Sequence, residues 1–356
     1  MFAATYYFSR REYKERITDK EQSFTLPSIG KISRKSRLED AFGYRLHLPT
    51  LTYQRQETGN YTLQLVSASS IAPYHAVGSG TINENGTELS TKNSSHSKKV
   101  KSSVDLLFIK EINKKNSLSF NAVWTGIFTD RTDTNHEEKI SNKEVVFSDK
   151  VVQDLKKNSL ILQADYAHTF ESPTQLSLGY RYYGAKLNSI VTNSFFENKP
   201  SVTTQNKHSL YGDFAYKIGQ VTLSLKGTLD YLHSNYYGAR QSSLSPQVYL
   251  NAKYIIDKHN ALRLRTSYTY YESQLGSHAE NMRYLEQYIL YRGNPNLKPT
   301  RSLGARATYS LTYPNLYVEL APIAHCNWGG EYNDYFLEKD PKTGREYLVT
   351  TPVNAR

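Results

Sequence analysis

Every second residue is apolar in run after run of this 356-residue chain, and no other feature limits its possible folds so severely. Within residues 159–170, Leu160, Leu162, Ala164, Tyr166 and Phe170 alternate against Gln163, Asp165 and Thr169. Leu176, Leu178, Tyr180 and Tyr182 stand against Ser177, Gly179 and Arg181, and Leu210, Gly212, Phe214, Tyr216 and Ile218 against Asp213 and Lys217. Val221, Leu223, Leu225, Leu229 and Tyr231 oppose Thr222, Ser224, Lys226 and Asp230. The pattern returns in residues 247–256, 262–270 and 302–311. A period of two puts alternate side chains on opposite faces of a strand. Each run covers about nine to twelve residues, the length a tilted strand needs to cross a bilayer, whereas soluble strands usually span about five or six.

The segments between the runs alternate in length. Glu57-Thr-Gly-Asn60, Asn113-Lys-Lys-Asn116, Glu171-Ser-Pro-Thr-Gln175, Gly219-Gln220, Asp257-Lys-His-Asn260 and Pro314-Asn315 are short and rich in turn formers. The segments 71–100, 130–157, 187–206, 233–246, 272–299 and 328–346 read as long loops. Short turns at one end and long loops at the other predict an all-β fold, an antiparallel transmembrane β-barrel with periplasmic turns and extracellular loops. The pattern gives about 12 to 14 strands, no helix, and one barrel domain over residues 1–356. Aromatic clusters at strand ends, Tyr6-Tyr7-Phe8, Tyr182-Tyr183, Tyr236-Tyr237, Tyr268 to Tyr271, Tyr288 and Tyr291, are expected to form girdles at headgroup depth.

Composition agrees with a wall that is apolar on one face only. Hydrophobic residues are 38% and mean hydropathy is −0.62, yet there are 30 Tyr, too many aromatics for a disordered chain. No run approaches the ~18 apolar residues of a membrane helix. The net charge of +11 is spread along the chain, as in Lys98-Lys99 and Lys156-Lys157, which argues against a nucleic-acid partner. Cys326 stands alone and forms no internal disulfide. The start, Met1-Phe-Ala-Ala-Thr-Tyr-Tyr, lacks the basic and apolar regions of a secretory signal, and Asn354-Ala-Arg356 is not an aromatic closing strand. The barrel is therefore expected to be incomplete at both ends.

Catalytic and metal-binding patterns are absent from the sequence. The ten His do not fall at metal-ligand spacing, there is no H-E-x-x-H or C-x-x-C, and Gly78-Ser-Gly80 opens no helix. An enzyme and a resident cofactor are not expected. Asp130, Asp133, Glu137 and Glu138 are oxygen donors of the kind calcium takes, but acids scattered in loops are ordinarily solvated. Arg181, Lys226, Arg263, Arg265 and Arg306 fall on the polar face, as the lining of a lumen for anionic or polar cargo or as charges that stiffen the wall.

In Arg292-Gly-Asn-Pro-Asn-Leu-Lys-Pro-Thr300, Pro295 and Pro299 fix φ and remove two donors, while Gly293, Asn294 and Asn296 favour turns. With Leu297 and Lys298 these residues terminate a loop and aim a strand. The stretch resembles the G-N-P-x-L-K-P-E motif of TonB-dependent receptors, in the Bacteroidetes-type outer-membrane β-barrel branch. The hairpin of residues 244–268 and Pro352-Val-Asn-Ala355 are similar to the same family. Thr300 departs from the family's Glu, so the resemblance implies no ion pair with Lys298 there. The resemblance is specific over residues 244–356 and architectural before them. It implies a 22-strand barrel around an N-terminal plug, of which this chain would be a segment without the plug.

The expected function is thus that of an outer-membrane barrel segment of a TonB-dependent receptor importing a nutrient too large for porins. Its implied partners are outer-membrane lipid, TonB acting through the plug, the nutrient, and a surface lipoprotein. Two other readings are a self-contained structural or adhesive barrel, which requires paired first and last strands, and a soluble secreted glycan-binding β-protein.

Overall fold

The computed structural model describes residues 1–170, 174–196, 198–339 and 344–355, so part of the expected turn Glu171-Ser-Pro-Thr-Gln175 and the terminal Arg356 lie outside the described residues. Eighteen strands are described. They are β1 (Phe2–Leu26), β2 (Gly30–Glu57), β3 (Tyr61–Glu84), β4 (Thr87–Asn113), β5 (Asn116–Lys139), β6 (Val145–Thr169), β7 (Gln175–Thr192), β8 (Ser201–Ile218) and β9 (Val221–Tyr236). They continue with β10 (Ala239–Ile255), β11 (Asn260–Tyr271), β12 (Arg283–Glu286), β13 (Ile289–Tyr291), β14 (Thr300–Tyr313), β15 (Leu316–Leu320), β16 (Ile323–Trp328), β17 (Glu331–Lys339) and β18 (Glu346–Asn354).

Strands β1 to β11 pair with their sequence neighbours, β14 follows β11, and β15 and β16 both pair with β14, giving one 14-stranded antiparallel wall. Among the described residues β1 pairs only with β2, so the wall is an open sheet and not the closed ring that a self-contained barrel requires.

The wall is inside out relative to a soluble protein. On β8, Ser201, Thr203 and Ser209 are at most 1% exposed, while their neighbours Val202 and Leu210 are 47% and 61% exposed. Apolar side chains on the open face and polar ones on the sheltered face are the arrangement that lipid demands. The described residues contain no helix long and apolar enough to cross a membrane; this wall crosses with strands.

Four expected loops are corrected to strands. Residues 71–100 are the upper parts of β3 and β4 joined at Asn85-Gly86, with φ of 50° and 88°. Residues 233–246 are β9 and β10 joined at Tyr237-Gly238, with φ of 50° and 91°. Two successive left-handed residues make the tight hairpin turn that Asn-Gly favours. Residues 130–157 and 187–206 are likewise mostly strand, interrupted at 140–144 and after Thr192. Their alternation is invisible because both faces leave the bilayer: outward Glu88, Ser90, Lys92 and Ser94 meet water, as much of the inner face does. The 28 residues of β2 span about 90 Å, far more than the ~30 Å hydrocarbon core.

The expected loop 272–299 and the described residues of the expected loop 328–346 fold back over the inner face of this tall half. A 3-10 turn (Leu275–His278) leads to β12 and β13, and a four-stranded sheet runs β12-β13-β18-β17 with β13 parallel to β18. Its core joins Tyr284, Leu290, Tyr347 and Val349 to Phe147 of β6, and Tyr288 to Leu26 and Ile32. This corrects the girdle reading for Tyr183, Tyr236, Tyr270, Tyr288 and Tyr291. Tyr183 has the parity opposite to outward Tyr182, Tyr270 is 9% exposed and donates to the inward Asp230 at 2.6 Å, and Tyr291 lies in the inner sheet. Tyr288 is 8% exposed in the inner sheet, and Tyr236 is 3% exposed on the inner face, its ring 3.7 Å from that of His278. Tyr180, Tyr182 and Tyr231 do face outward, by their register beside exposed Leu210 and Leu229.

Candidate functional site: the basic inner face of the wall

Parity along the strands decides which charges share a face. Arg181 lies between Gln163 and Ser209, Lys226 between Asp213 and Tyr249, and Arg265 between Asn251 and Arg306. Four strands, β7, β9, β11 and β14, thus bring Arg181, Lys226, Arg265 and Arg306 to one cavity of about 670 Å³, shared with Asp213, Gln247, Tyr249, Asn251 and His325. Arg263 falls one inward position nearer the short turns, opposite Lys253 and Thr308, and is not part of the cavity lining. Its Nε is buried without a hydrogen-bond partner.

The cavity carries more positive charge than its acids answer. Arg306 reaches Glu319 at 2.9 Å, and Asp213 sits across from Lys226. Arg265 and Arg306 are direct cross-strand partners, an arrangement that costs stability because like charges face each other. Such a surface favours an anion in the space before it.

Three acid clusters lay beyond the reach of the sequence. Asp165 accepts hydrogen bonds from Ser119 at 3.2 Å, Gln163 at 2.9 Å and the Tyr211 hydroxyl. Gly179 leaves the room for that contact, since a Cβ there would overlap both the Tyr211 ring and Asp165. Asp230 accepts from Gln247 at 2.9 Å and Tyr270 at 2.6 Å, and Glu272 accepts from Gln205 at 2.6 Å and Lys207 at 2.9 Å. Farther out, Arg34 donates to Glu137 at 2.7 Å and to Gln287 at 3.2 Å, while the Tyr288 hydroxyl donates to Glu84 at 2.9 Å. Burial pushes the Glu137 carboxyl above its ordinary range in spite of Arg34. Single residues far apart in sequence build these groups, and only the hairpin register joins them. Among the acids considered for calcium, Asp133 pairs with Arg131 and Glu137 with Arg34, and no group of three potential ligands is gathered among the described residues.

The segment Gly293 to Pro299 ties the inner sheet to β14. A Cβ on Gly293 would overlap the Ala279 carbonyl and sit 2.7 Å from that of Ser277. The Asn294 amide donates to Ser277 O at 2.8 Å, its side chain to Pro352 O at 3.0 Å, and Leu297 is 1% exposed. Pro295 O accepts from Gln241 at 2.8 Å, and Asn354 bridges the Lys298 amide and carbonyl, each at 2.8 Å. Thr300 donates to Gly329 O at 3.1 Å and opens β14. Asn296 and Pro299 complete the turn, the Asn296 amide donating to the Asn294 side chain at 2.9 Å.

A wall of long antiparallel strands with short turns at one end, an apolar outer band and a charged inner face is the form of an outer-membrane receptor barrel. Residues 30–321 match the family described as "TonB dependent receptor-like, beta-barrel". The chain belongs to this family. Its members are outer-membrane proteins, and the wall described above is an outer-membrane wall. A variant of the ferric enterobactin receptor PfeA from Pseudomonas aeruginosa superposes with a TM-score of 0.52 at 10% identity, over 99% of this chain and 58% of that one. Another PfeA variant, in complex with enterobactin, gives 0.51 at 10% identity over 98% and 58%. The alcaligin outer-membrane receptor FauA from Bordetella pertussis gives 0.47 at 12% identity over 99% and 56%. This receptor barrel thus spans less than three-fifths of the length of each. No curated protein sequence matches it.

Proposed function

We propose that this chain is one barrel domain, residues 1–356, of a receptor that imports an anionic nutrient across the outer membrane. Transport, not catalysis, is its role, and the energy comes from TonB acting through the plug that the family resemblance implies. The observation that carries the reading is the convergence of Arg181, Lys226, Arg265 and Arg306 on one inner-face cavity. Arg265 opposite Arg306 is the decisive detail, because a merely structural ladder of charges is expected to alternate in sign across strands. The PfeA complex makes ferric enterobactin the first probe to try.

The experiment is uptake of radiolabelled ferric enterobactin by cells carrying the receptor, beside a neutral oligosaccharide such as maltoheptaose. Replacing Arg181, Lys226, Arg265 and Arg306 together by Gln is expected to lower uptake of the anion about ten-fold or more and to leave folding unaffected. Transport of the neutral sugar in preference to the anion, or uptake indifferent to the four substitutions, overturns the anionic reading.

A further inference from the structure

The lipid-facing side of β7 to β10 grades from apolar to cationic in five consecutive cross-strand rows. The first is Leu178-Gly212-Gly227-Val248 and the second Tyr180-Leu210-Leu229-Pro246. The third is Tyr182-His208-Tyr231-Leu244, the fourth Gly184-Asn206-His233-Ser242, and the last Lys186-Thr204-Asn235-Arg240. No outward position of these four strands holds Asp or Glu, and all four of their outward basic side chains lie in the last three rows, at the loop end. Neighbouring strands differ: outward Lys98 on β4 faces Asp130, and Asp130 faces Asp154 of β6.

The first two rows enclose a trough. Gly212 and Gly227 pair side by side as its floor, between Leu178, Leu210, Leu229, Pro246 and Val248. It opens outward, so an acyl chain is the partner that fits it. From the glycine row to the Lys186–Arg240 row is eight residues of strand, about 26 Å, or about 20 Å along the membrane normal at a tilt near 40°. With the glycine row near the midplane, a leaflet's ~15 Å of hydrocarbon puts His208 about 10 Å up, in its outer part, and His233, Lys186 and Arg240 at and just above headgroup depth. The imidazoles are held in place: His208 Nδ1 is hydrogen-bonded to the Tyr180 hydroxyl at 2.7 Å, and His233 Nδ1 to the Ser242 hydroxyl at 2.9 Å.

We infer that this face of the wall is a binding site for an anionic lipid of the outer leaflet, one whose phosphate charge is not balanced by a headgroup cation, with an acyl chain over the Gly212–Gly227 floor and the phosphate beneath Lys186, His208, His233 and Arg240. The glycine trough and the acid-free basic end are independent features, and only a molecule with both an apolar tail and an anionic head matches the two in this order. The inference does not depend on the cargo of the inner face.

The test is native mass spectrometry of the full chain, purified in detergent from outer membranes, with phosphatidylglycerol and phosphatidylcholine of identical chains as probes. Phosphatidylglycerol is expected to be retained about ten-fold over phosphatidylcholine. The combined variant K186Q, H208Q, H233Q and R240Q should abolish that preference, while K92Q with K98Q, which removes outward charge from β4, should not. Gly227→Leu fills the trough, where an added Cβ meets open space, and should lower retention of both lipids while heat-modifiable migration shows the barrel folded. Inorganic phosphate at millimolar concentration should not displace the lipid. Equal retention of the two lipids, a preference that survives the four-fold substitution, unchanged retention by Gly227→Leu, or displacement by phosphate each overturns the site.

Discussion

Arg265 and Arg306 face each other directly across the β11–β14 ladder. Glu319 answers Arg306 from β15, whereas Arg265 has Asn251 on its other side. Removing one charge should relieve repulsion worth about 0.2–1 kcal/mol. Arg265→Gln is therefore expected to raise the temperature of heat-modified migration slightly at low ionic strength, and added salt should narrow the difference. A substitution that lowers the transition temperature at low salt would show that Arg265 is held by attraction instead.

The inner sheet is pinned to the wall by Arg34, whose side chain is 5% exposed against 8% for Glu137. Substituting Arg34 by Met keeps much of its volume but strands Glu137, with Glu84 close by, as buried carboxylates. Breaking a buried pair in this way costs about 3–5 kcal/mol. Hydrogen exchange should accelerate through β12 and β13 while the membrane-level strands stay protected. Double substitution with Glu137→Gln should recover most of the loss.

Two groups at this end of the molecule give opposite pH dependence. Burial raises the Glu137 carboxyl against Arg34, with Glu84 and Glu286 adding to the rise. A carboxyl whose folded pKa is raised stabilises at low pH and loses that contribution as pH climbs through the folded value. Burial lowers His278, against its backbone hydrogen bonds to Pro295 and Asn294 and the charge of Glu331. Its contribution is present above the ordinary imidazole value of about 6.5 and is lost as pH falls. As pH rises from about 4, below the ordinary Glu value, to mildly basic buffer, protection of residues 283–291 should fall and that of residues 275–281 should rise, after correction for intrinsic exchange. Glu137→Gln flattens the first trend. His278→Phe, which keeps the stack on Tyr236, flattens the second.

How much of this was readable in the sequence depends on which solvent each face meets. Strands β6 to β11 announced themselves through Leu160, Leu178, Leu210 and Leu225 because lipid on one side and a wet lumen on the other enforce alternation at membrane depth. The upper halves of β2 to β5 gave no such signal: outward Lys92 and Ser94 and inward Thr91 and Asn93 are all polar. The turn Asn85-Gly86 was the missed clue that a hairpin, and not a loop, closes there. Strands β12 and β13 have four and three residues, too few for any period, and pairing of Ile289 with Leu348 joins segments far apart in the chain. Four of the five basic inner-face candidates meet in one cavity because parity is a property of single strands. The partners of Asp230 and Glu137 depend on register between strands, which composition does not encode.

Gly293 is required by close approach and not by its backbone angle, since it is not among the residues of positive φ. A methyl group there collides with the Ala279 carbonyl and presses on that of Ser277, both backbone atoms that cannot rotate away. Overpacking of this kind costs about 1–3 kcal/mol. Gly293→Ala should loosen the 3-10 turn and the start of β14 together, seen as faster exchange at residues 275–281 and 300–303. A change confined to one of the two would mean that the motif does not couple them.

Leu225 and Ser224 are chain neighbours on opposite faces of β9, and they separate the lipid reading from every soluble one. Leu225 is 49% exposed beside Leu223 and Phe214, at the level of the apolar band. Ser224 borders the basic cavity on the other side. Arginine on the lipid face near the bilayer midplane costs about 2–4 kcal/mol, while a lumen position tolerates charge. Leu225→Arg should therefore sharply reduce the fraction that migrates as folded barrel in liposomes, and Ser224→Arg should leave that fraction near wild type. In water a soluble β-protein would treat the exposed Leu225 as an ordinary surface site, and Arg there would improve its solubility. Insertion that is equally efficient for both variants would place the apolar face somewhere other than in lipid.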